Sequence, residues 1–245
     1  MPEISIKAEP IFHFLNFTIT NSLLLSAVVF FTFFILAVLY SNESKKSQKN
    51  LYYYFVNFIL KNIYQLFQAI LKEKNEYFFP ILGSFMIFIL FQNWFGLLPG
   101  VGSILVTVNE GQEIHHIPLL RANNADLNAT LSLGIISVLL VQIFGIKFLG
   151  FKDYIRKFIN FSNPISFFTG LLEIISEFSK VISFSFRLFG NIFAGEVLLA
   201  IIAFLIPILA SFPFLVLEIF VGLVQALVFS MLSAVFLSVA ISKEH

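Results

Sequence analysis

Five long apolar runs decide what this chain can become. The first, Ser22 to Tyr40, holds 19 residues without a charge. At about 1.5 Å per helical residue it reaches across a hydrocarbon core of ~30 Å. Further runs cover 78–98, 129–149, about 165–206 and about 209–242. Backbone polar groups inside a bilayer must be satisfied within their own segment, so such runs fold as helices. Composition agrees: 58% of the 245 residues are hydrophobic and 12% are charged. Soluble domains carry about 25% charge, and this chain has too little polar surface to stay dissolved. That argues against a soluble enzyme, a nucleic-acid binder and a disordered protein. The expected fold class is all-α and polytopic: about five membrane-embedded helices plus one interfacial amphipathic helix, the last two membrane helices long and strongly tilted. The absence of cysteine removes disulfides, thiolate metal sites and thiol nucleophiles together. A net charge of +1 gives no global field that would recruit an acidic partner.

The polar segments set the organisation. Residues 1–21 lack the charged start and cleavable apolar core of a signal peptide, so run 22–40 reads as a retained transmembrane helix. Segment 51–76 mixes Tyr52–Phe55 with Lys61, Gln65, Lys72 and Glu73. It is too polar to span and reads as an interfacial helix. Segment 99–128, with Pro99, Gly100, Gly102, Asn109, Gly111 and Pro118, reads as a loop with room for a short hairpin. No internal repeat or linker divides the chain, so residues 1–245 are expected to form one membrane domain. Segment 41–76 carries Lys45, Lys46, Lys49, Lys61, Lys72 and Lys74, and segment 147–163 carries Lys147, Lys152, Arg156 and Lys157. Segments 1–21 and 99–128 carry one cation each, Lys7 and Arg121. The positive-inside rule then puts both basic segments inside. With five crossings the N-terminus lies outside and Ser242–His245 inside, while the uncharged corner at Ile206–Pro213 falls outside.

The last two helices, about 164–242, carry the chemistry. Asn163-Pro164 is a helix start, because Pro fits the first turn. From there to Pro207 is about 60 Å of helix, twice the bilayer core. Such a helix must tilt steeply, lie partly in the membrane plane, or bend at Gly190 or Gly195. Within the pair lie Glu173, Glu177, Lys180, Arg187, Asn191, Glu196, Glu218 and Gln225. Ionised groups at the bilayer centre cost about 2.5–3.5 kcal/mol each on insertion scales. At about 100° per residue, Lys180, Ser183, Asn191 and Glu173 all fall within about 40° of Arg187 and form one stripe. Glu196 points about 180° away from it. Glu218 and Gln225, seven apart, share a face of the last helix. Glu173, Glu177 and Lys180 fit two readings equally: local ion pairs near the helix end, or an inner-side polar path. Arg187 has apolar neighbours and no acid three or four residues away. A guanidinium keeps its proton in a protein, so its counter-anion must come from elsewhere, such as another subunit.

Several segments carry a resemblance. Phe186-Arg187-Leu188-Phe189-Gly190-Asn191, followed by Ala194-Gly195-Glu196, resembles the signature of subunit a of F-type ATP synthases. Gly96-Leu97-Leu98-Pro99, Ala125-Asp126-Leu127-Asn128-Ala129-Thr130-Leu131, Ser179-Lys180-Val181 and Gln225-Ala226 match further family segments in the family order. Some members carry a histidine on one of the two channel-facing helices, where this chain has Glu196 and Glu218.

The resemblance implies a stator subunit that passes protons through two offset half-channels to and from a ring of c subunits. It implies no ATP hydrolysis by this chain and no cofactor. Arg187 is the implied essential cation facing the ring carboxylate. Glu196 and Glu218 are expected in the outer proton path, facing each other across the two helices, with Asn191, Gln225 and Asp126 as polar lining. Asp126 fits equally well as a helix N-cap. Glu173, Lys180 and Ser183 are the candidate inner-side stripe. The implied partners are the c-ring, b-type peripheral stalk subunits, the rest of the F1Fo complex and the lipid bilayer. The implied site is a bacterial plasma membrane, with the inner mitochondrial membrane as alternative. A sodium-coupled version of the same subunit, or a secondary ion transporter, would bury similar charges. His115-His116 has no partner cluster and reads as solvated, so no metal site is expected.

Overall fold

The computed structural model describes residues 8–14, 17–110, 113–159, 163–205 and 211–242. Their architecture is helical. α1 (Asn21–Ser44), α3 (Asn75–Gly96), α4 (Leu127–Leu149), α6 (Pro164–Leu205) and α7 (Ser211–Ile241) are each long and apolar enough to cross a membrane. α2 (Leu51–Leu71) precedes α3 and joins it through a 3-10 turn at Lys72–Lys74. Lys72, at φ 51°, sits in the left-handed region and ends α2. As its mixed sequence suggests, α2 is amphipathic. Ile63, Phe67 and Leu71 are buried in a core shared with α3, α4 and α7, while Leu51, Tyr54, Phe55 and Phe58 face outward.

Two features were not legible in the sequence, a strand pair ahead of α1 and a short helix after α4. β1 (Pro10–Phe14) and β2 (Phe17–Thr20) form an antiparallel pair ahead of α1. The expected loop between α3 and α4 does hold a hairpin, β3 (Leu105–Glu110) with β4 (Glu113–Pro118). The basic loop after α4 folds into α5 (Phe151–Phe158), set off by Gly150 at φ 88°. α5 is kept close by two glycines. A Cβ on Gly145 would overlap the Tyr154 ring, and one on Gly170 would overlap the Phe158 carbonyl.

The over-long helices are real. α6 has 42 residues and α7 has 31, about 63 Å and 46 Å of helix. α6 runs as a single helix across both Gly190 and Gly195. The corner expected at 206–213 lies mostly outside the described residues, as do Lys243, Glu244 and His245.

Two apolar cores stack along the bundle. One gathers Phe67, Phe78, Leu82, Met86, Val141 and Leu237 near the α5 end. The other gathers Ile89, Ala122, Ala125, Leu188, Ile192 and Phe229 near the hairpin end. Between α4 and α7 the hydroxyls of Ser137 and Ser233 share a hydrogen bond of 2.8 Å. A short polar bond lets two helix backbones approach closely, as membrane interfaces require. Wide apolar surface remains outward: Phe30, Phe31 and Phe34 on α1, and Phe178, Ile182 and Phe186 on α6. That surface suits lipid or other membrane subunits.

Candidate functional site at the crossing of α6 and α7

Helix periodicity places Arg187 on the outward face of α6. Leu188, Phe189 and Ile192 turn into the core, while Arg187 stays exposed beside the outward Phe186. Its Nη2 donates to the Ser183 hydroxyl at 3.3 Å, one turn back along the same stripe. Among the described residues no carboxylate pairs with it. A cation that cannot deprotonate is thus displayed halfway along the long helix with only a hydroxyl for company. Asn191 lies half-buried one turn further on.

The opposite face of α6 meets the hairpin end. Glu196 Oε1 lies 3.5 Å from Arg121 Nε, and Arg121 is only 5% exposed. Glu196 Oε2 is enclosed and has no hydrogen-bond partner. Glu218 on α7 is buried at 6% exposure, and its carboxyl packs directly against the Gly195 backbone. The two acids therefore come from different helices and meet different groups: Glu196 of α6 meets Arg121, and Glu218 of α7 meets the backbone of Gly195. Gln225, two turns along α7, is half-buried.

Asp126 caps α4, its Oδ1 accepting from the Asn128 N–H at 3.0 Å. Its Oδ2 accepts from the Ser22 hydroxyl at 3.2 Å. The capping expectation is thus met, with a tie to α1 that the sequence did not foretell.

Around these acids lies a polar network that sequence reasoning missed. Asn93 Nδ2 donates to the Gly222 carbonyl at 2.9 Å, and Asn124 Nδ2 donates to Asn93 Oδ1 at 2.7 Å. Trp94 Nε1 donates to the Ile219 carbonyl at 3.0 Å. Two neighbouring α3 side chains therefore hold α7 at the turn that carries Glu218. Gln92 and Asn93 are fully or nearly fully buried. Buried polar groups on an apolar helix need partners, and Gln92-Asn93 within the apolar run 78–98 is the signal that could have found them. Arg121 stood out only as a lone cation.

At the α5 end, the acidic stripe is engaged in ion pairs. Lys180 Nζ lies 2.6 Å from Glu177 Oε1, a local i,i+3 pair, and 4.7 Å from the centre of the Phe236 ring. Glu173 instead reaches across to Lys157 of α5 at 2.8 Å. Beside them the Tyr154 hydroxyl donates to Gln142 Oε1 at 2.6 Å. Burial pushes the Tyr154 phenol up to about 12, and the charges of Glu177 and Glu173 push the same way. Ser183 belongs to the Arg187 pair. The His116 ring shares a hydrogen bond with Thr107. No group of three or more metal-ligating side chains occurs among the described residues.

A lone outward cation at mid-helix thus stands apart from two acids toward the hairpin end, Glu196 paired with Arg121 and Glu218 buried against Gly195. The ATP synthase A chain family model matches residues 21–238. The chain belongs to the ATP synthase A chain family. Relatives agree across most of their length. ATP synthase subunit a of Syntrophobacter fumaroxidans is 33% identical over 195 residues, covering 78% of this chain and 72% of the relative. That of Moorella thermoacetica is 31% identical over 179 residues, covering 73% and 72%. That of Legionella pneumophila is 29% identical over 220 residues, covering 90% and 86%. As a family member the chain is a membrane-sector, proton-channel subunit of the F1Fo ATP synthase and has no enzymatic activity of its own. The family does not favour the sodium-coupled alternative, and it replaces the secondary-transporter reading. It is an integral, multi-pass membrane protein.

Proposed function

We propose that this subunit conducts protons through two offset half-channels that meet a c-ring at Arg187. The single observation that carries this is the isolation of Arg187: an exposed, permanent cation within an apolar helix, which among the described residues bonds only to Ser183. A ring carboxylate would supply the missing anion. The guanidinium stabilises that carboxylate in its charged form, lowers its proton affinity, and so releases its proton. The same charge repels protons and blocks direct leakage between the half-channels. Each charge moved down 100 mV yields about 2.3 kcal/mol.

In this reading the outer half-channel uses Glu196 and Glu218 as proton-carrying acids, with Asn191, Gln225 and Asp126 as polar lining. The enclosed positions of Glu196 Oε2 and Glu218 support it. The inner half-channel follows Glu173, Lys180 and Ser183, which share the stripe of Arg187. The whole chain acts as one membrane domain against the c-ring, with b-type stalk subunits holding it still. The basic segments 41–76 and 147–163 face the inside of a bacterial plasma membrane, and the two hairpins face outside. The bacterial relatives favour that membrane.

The decisive experiment replaces Arg187 by Lys. Lysine carries a charge but loses it more readily when desolvated and lacks the fork that matches a carboxylate. The purified Arg187→Lys complex, with its subunits verified, should fail to make ATP under an imposed proton gradient in liposomes. ATP hydrolysis by the soluble head should persist. Synthesis within a few-fold of wild type would reduce Arg187 to a structural cation and end the proposal.

A further inference from the structure

The Arg121–Glu196 pair has a division of labour between the two carboxylate oxygens. Oε1 faces the guanidinium at 3.5 Å. Oε2 is enclosed and unpartnered. Arg121 is itself nearly fully buried and comes from the segment just before the Asn123–Ala125 turn, which packs on α6. Glu218 sits against the neighbouring Gly195. So, among the described residues, the candidate outer path presents Glu196 and Glu218 together with the buried cation Arg121.

We propose that Arg121 is a specificity-determining residue that makes Glu196 a site for protons and not for metal cations. The inference rests on Glu196 lying in the outer path. A proton needs one lone pair: it leaves a water-borne hydronium, forms an O–H bond at Oε2, and later departs to the next acceptor, restoring the carboxylate. Nothing else changes, and Arg121 keeps its own proton throughout. A metal cation needs several oxygen ligands at once and must shed water to get them. Here one oxygen already faces the guanidinium, whose positive charge also repels an arriving metal ion. Among the described residues no cluster of three ligating side chains offers a substitute cage. Without Arg121, Glu196 and Glu218 would leave a more negative site, which attracts small cations.

The test uses the intact complex in liposomes. Proton-driven ATP synthesis is measured against outer proton concentration, in sodium chloride or in equimolar choline chloride. Wild type and Arg121→Lys should give the same curve in both salts. In Arg121→Gln, sodium should raise the proton concentration needed for half-maximal rate several-fold, with the maximal rate recovered at high proton concentration. A structural defect would instead lower the rate equally in both salts, and that outcome overturns the proposal. Sodium acting equally on wild type and Arg121→Gln overturns it too. If Arg121→Gln does not assemble, Arg121→His at alkaline outer pH, where imidazole is neutral, is read against the same two outcomes. Glu196→Gln is run beside them in choline. Normal synthesis there would show that Glu196 is outside the path, a failure of the underlying reading that is distinct from salt-independent behaviour at position 121.

Discussion

The carboxyl of Glu218 lies where the side chain of residue 195 would begin, and only a glycine at Gly195 leaves it that space. α6 and α7 thus touch through an acid on one helix and bare backbone on the other. Glu218 is buried at this contact, one position from the ion-paired Glu196.

Gly195→Ala should therefore be costly although alanine is the better helix former. Overpacking of this kind costs about 1–3 kcal/mol, and it displaces the Glu218 carboxyl. The expected result is lower thermal stability of the membrane sector and impaired proton-driven synthesis. Shortening the partner, in Gly195→Ala/Glu218→Ala, should return the stability but not the synthesis. Thermal unfolding of the purified complexes, with synthesis measured in parallel, separates the two effects. Equal stability of Gly195→Ala and wild type would mean the contact is loose.

Glu218→Gln should slow proton flux while the complex still assembles. The amide keeps the shape of the carboxyl but cannot carry the proton. Glu196→Gln should slow it as well, and the double variant should not be much worse than the poorer single one, since both interrupt one path. Passive proton uptake by vesicles containing the membrane sector is the readout. Unchanged flux in the double variant would remove both acids from the path.

Orientation follows from single cysteines placed in this cysteine-free chain. Arg121 is too buried to label, so Ser103, exposed in the same connection, takes its place. Impermeant maleimide should reach a cysteine at Ser103 from outside, and cysteines at Lys46 and Lys152 from inside. Labelling of positions 103 and 46 from the same side would break the proposed topology.

Tyr154 gives a pH prediction outside the membrane spans. Its phenol, ordinarily near 10, is raised to about 12 by burial and by Glu177 and Glu173. A raised folded value means the contribution is complete below pH ~10 and is lost as pH climbs toward ~12. The folded state holds the proton longer than the unfolded chain, so stability falls across that window. The phenolate absorbance difference between wild type and Tyr154→Phe should show one tyrosine ionising near pH 12. Tyr154→Phe, which forfeits the bond to Gln142, should be less stable at neutral pH and less sensitive to alkali. A difference spectrum centred near pH 10 would contradict the buried placement.

Hydrophobic run length was enough to delimit α1, α3, α4, α6 and α7, because a bilayer demands closed backbone hydrogen bonding over a fixed thickness. Residue spacing was enough to put Ser183 and Arg187 on one stripe and to turn Glu196 away from it, because helix periodicity is local. The excess length of α6 and α7 could be counted directly, and the family signature around Arg187 could be read in place. Pairing partners distant along the chain could not. Arg121 and Glu196 are 75 positions apart, and Asn93 and Gly222 are 129 apart. No local pattern encodes such meetings; they arise when packed helices bring two faces together. The same holds for Glu173, which passes over its neighbour Lys180 to pair with Lys157 of α5. The β1–β2 pair and α5 were hidden because such short elements carry no long apolar period and form by resting on the bundle; the β3–β4 hairpin was foreseen only as a short hairpin in the 99–128 loop, without its register. The sequence by itself determined which segments are long and apolar enough to cross a membrane, which charges are anomalous there, and which helix faces they occupy. Only the tertiary structure decided which charge answers which, since the cost of a buried charge is relieved by whichever partner the packing delivers.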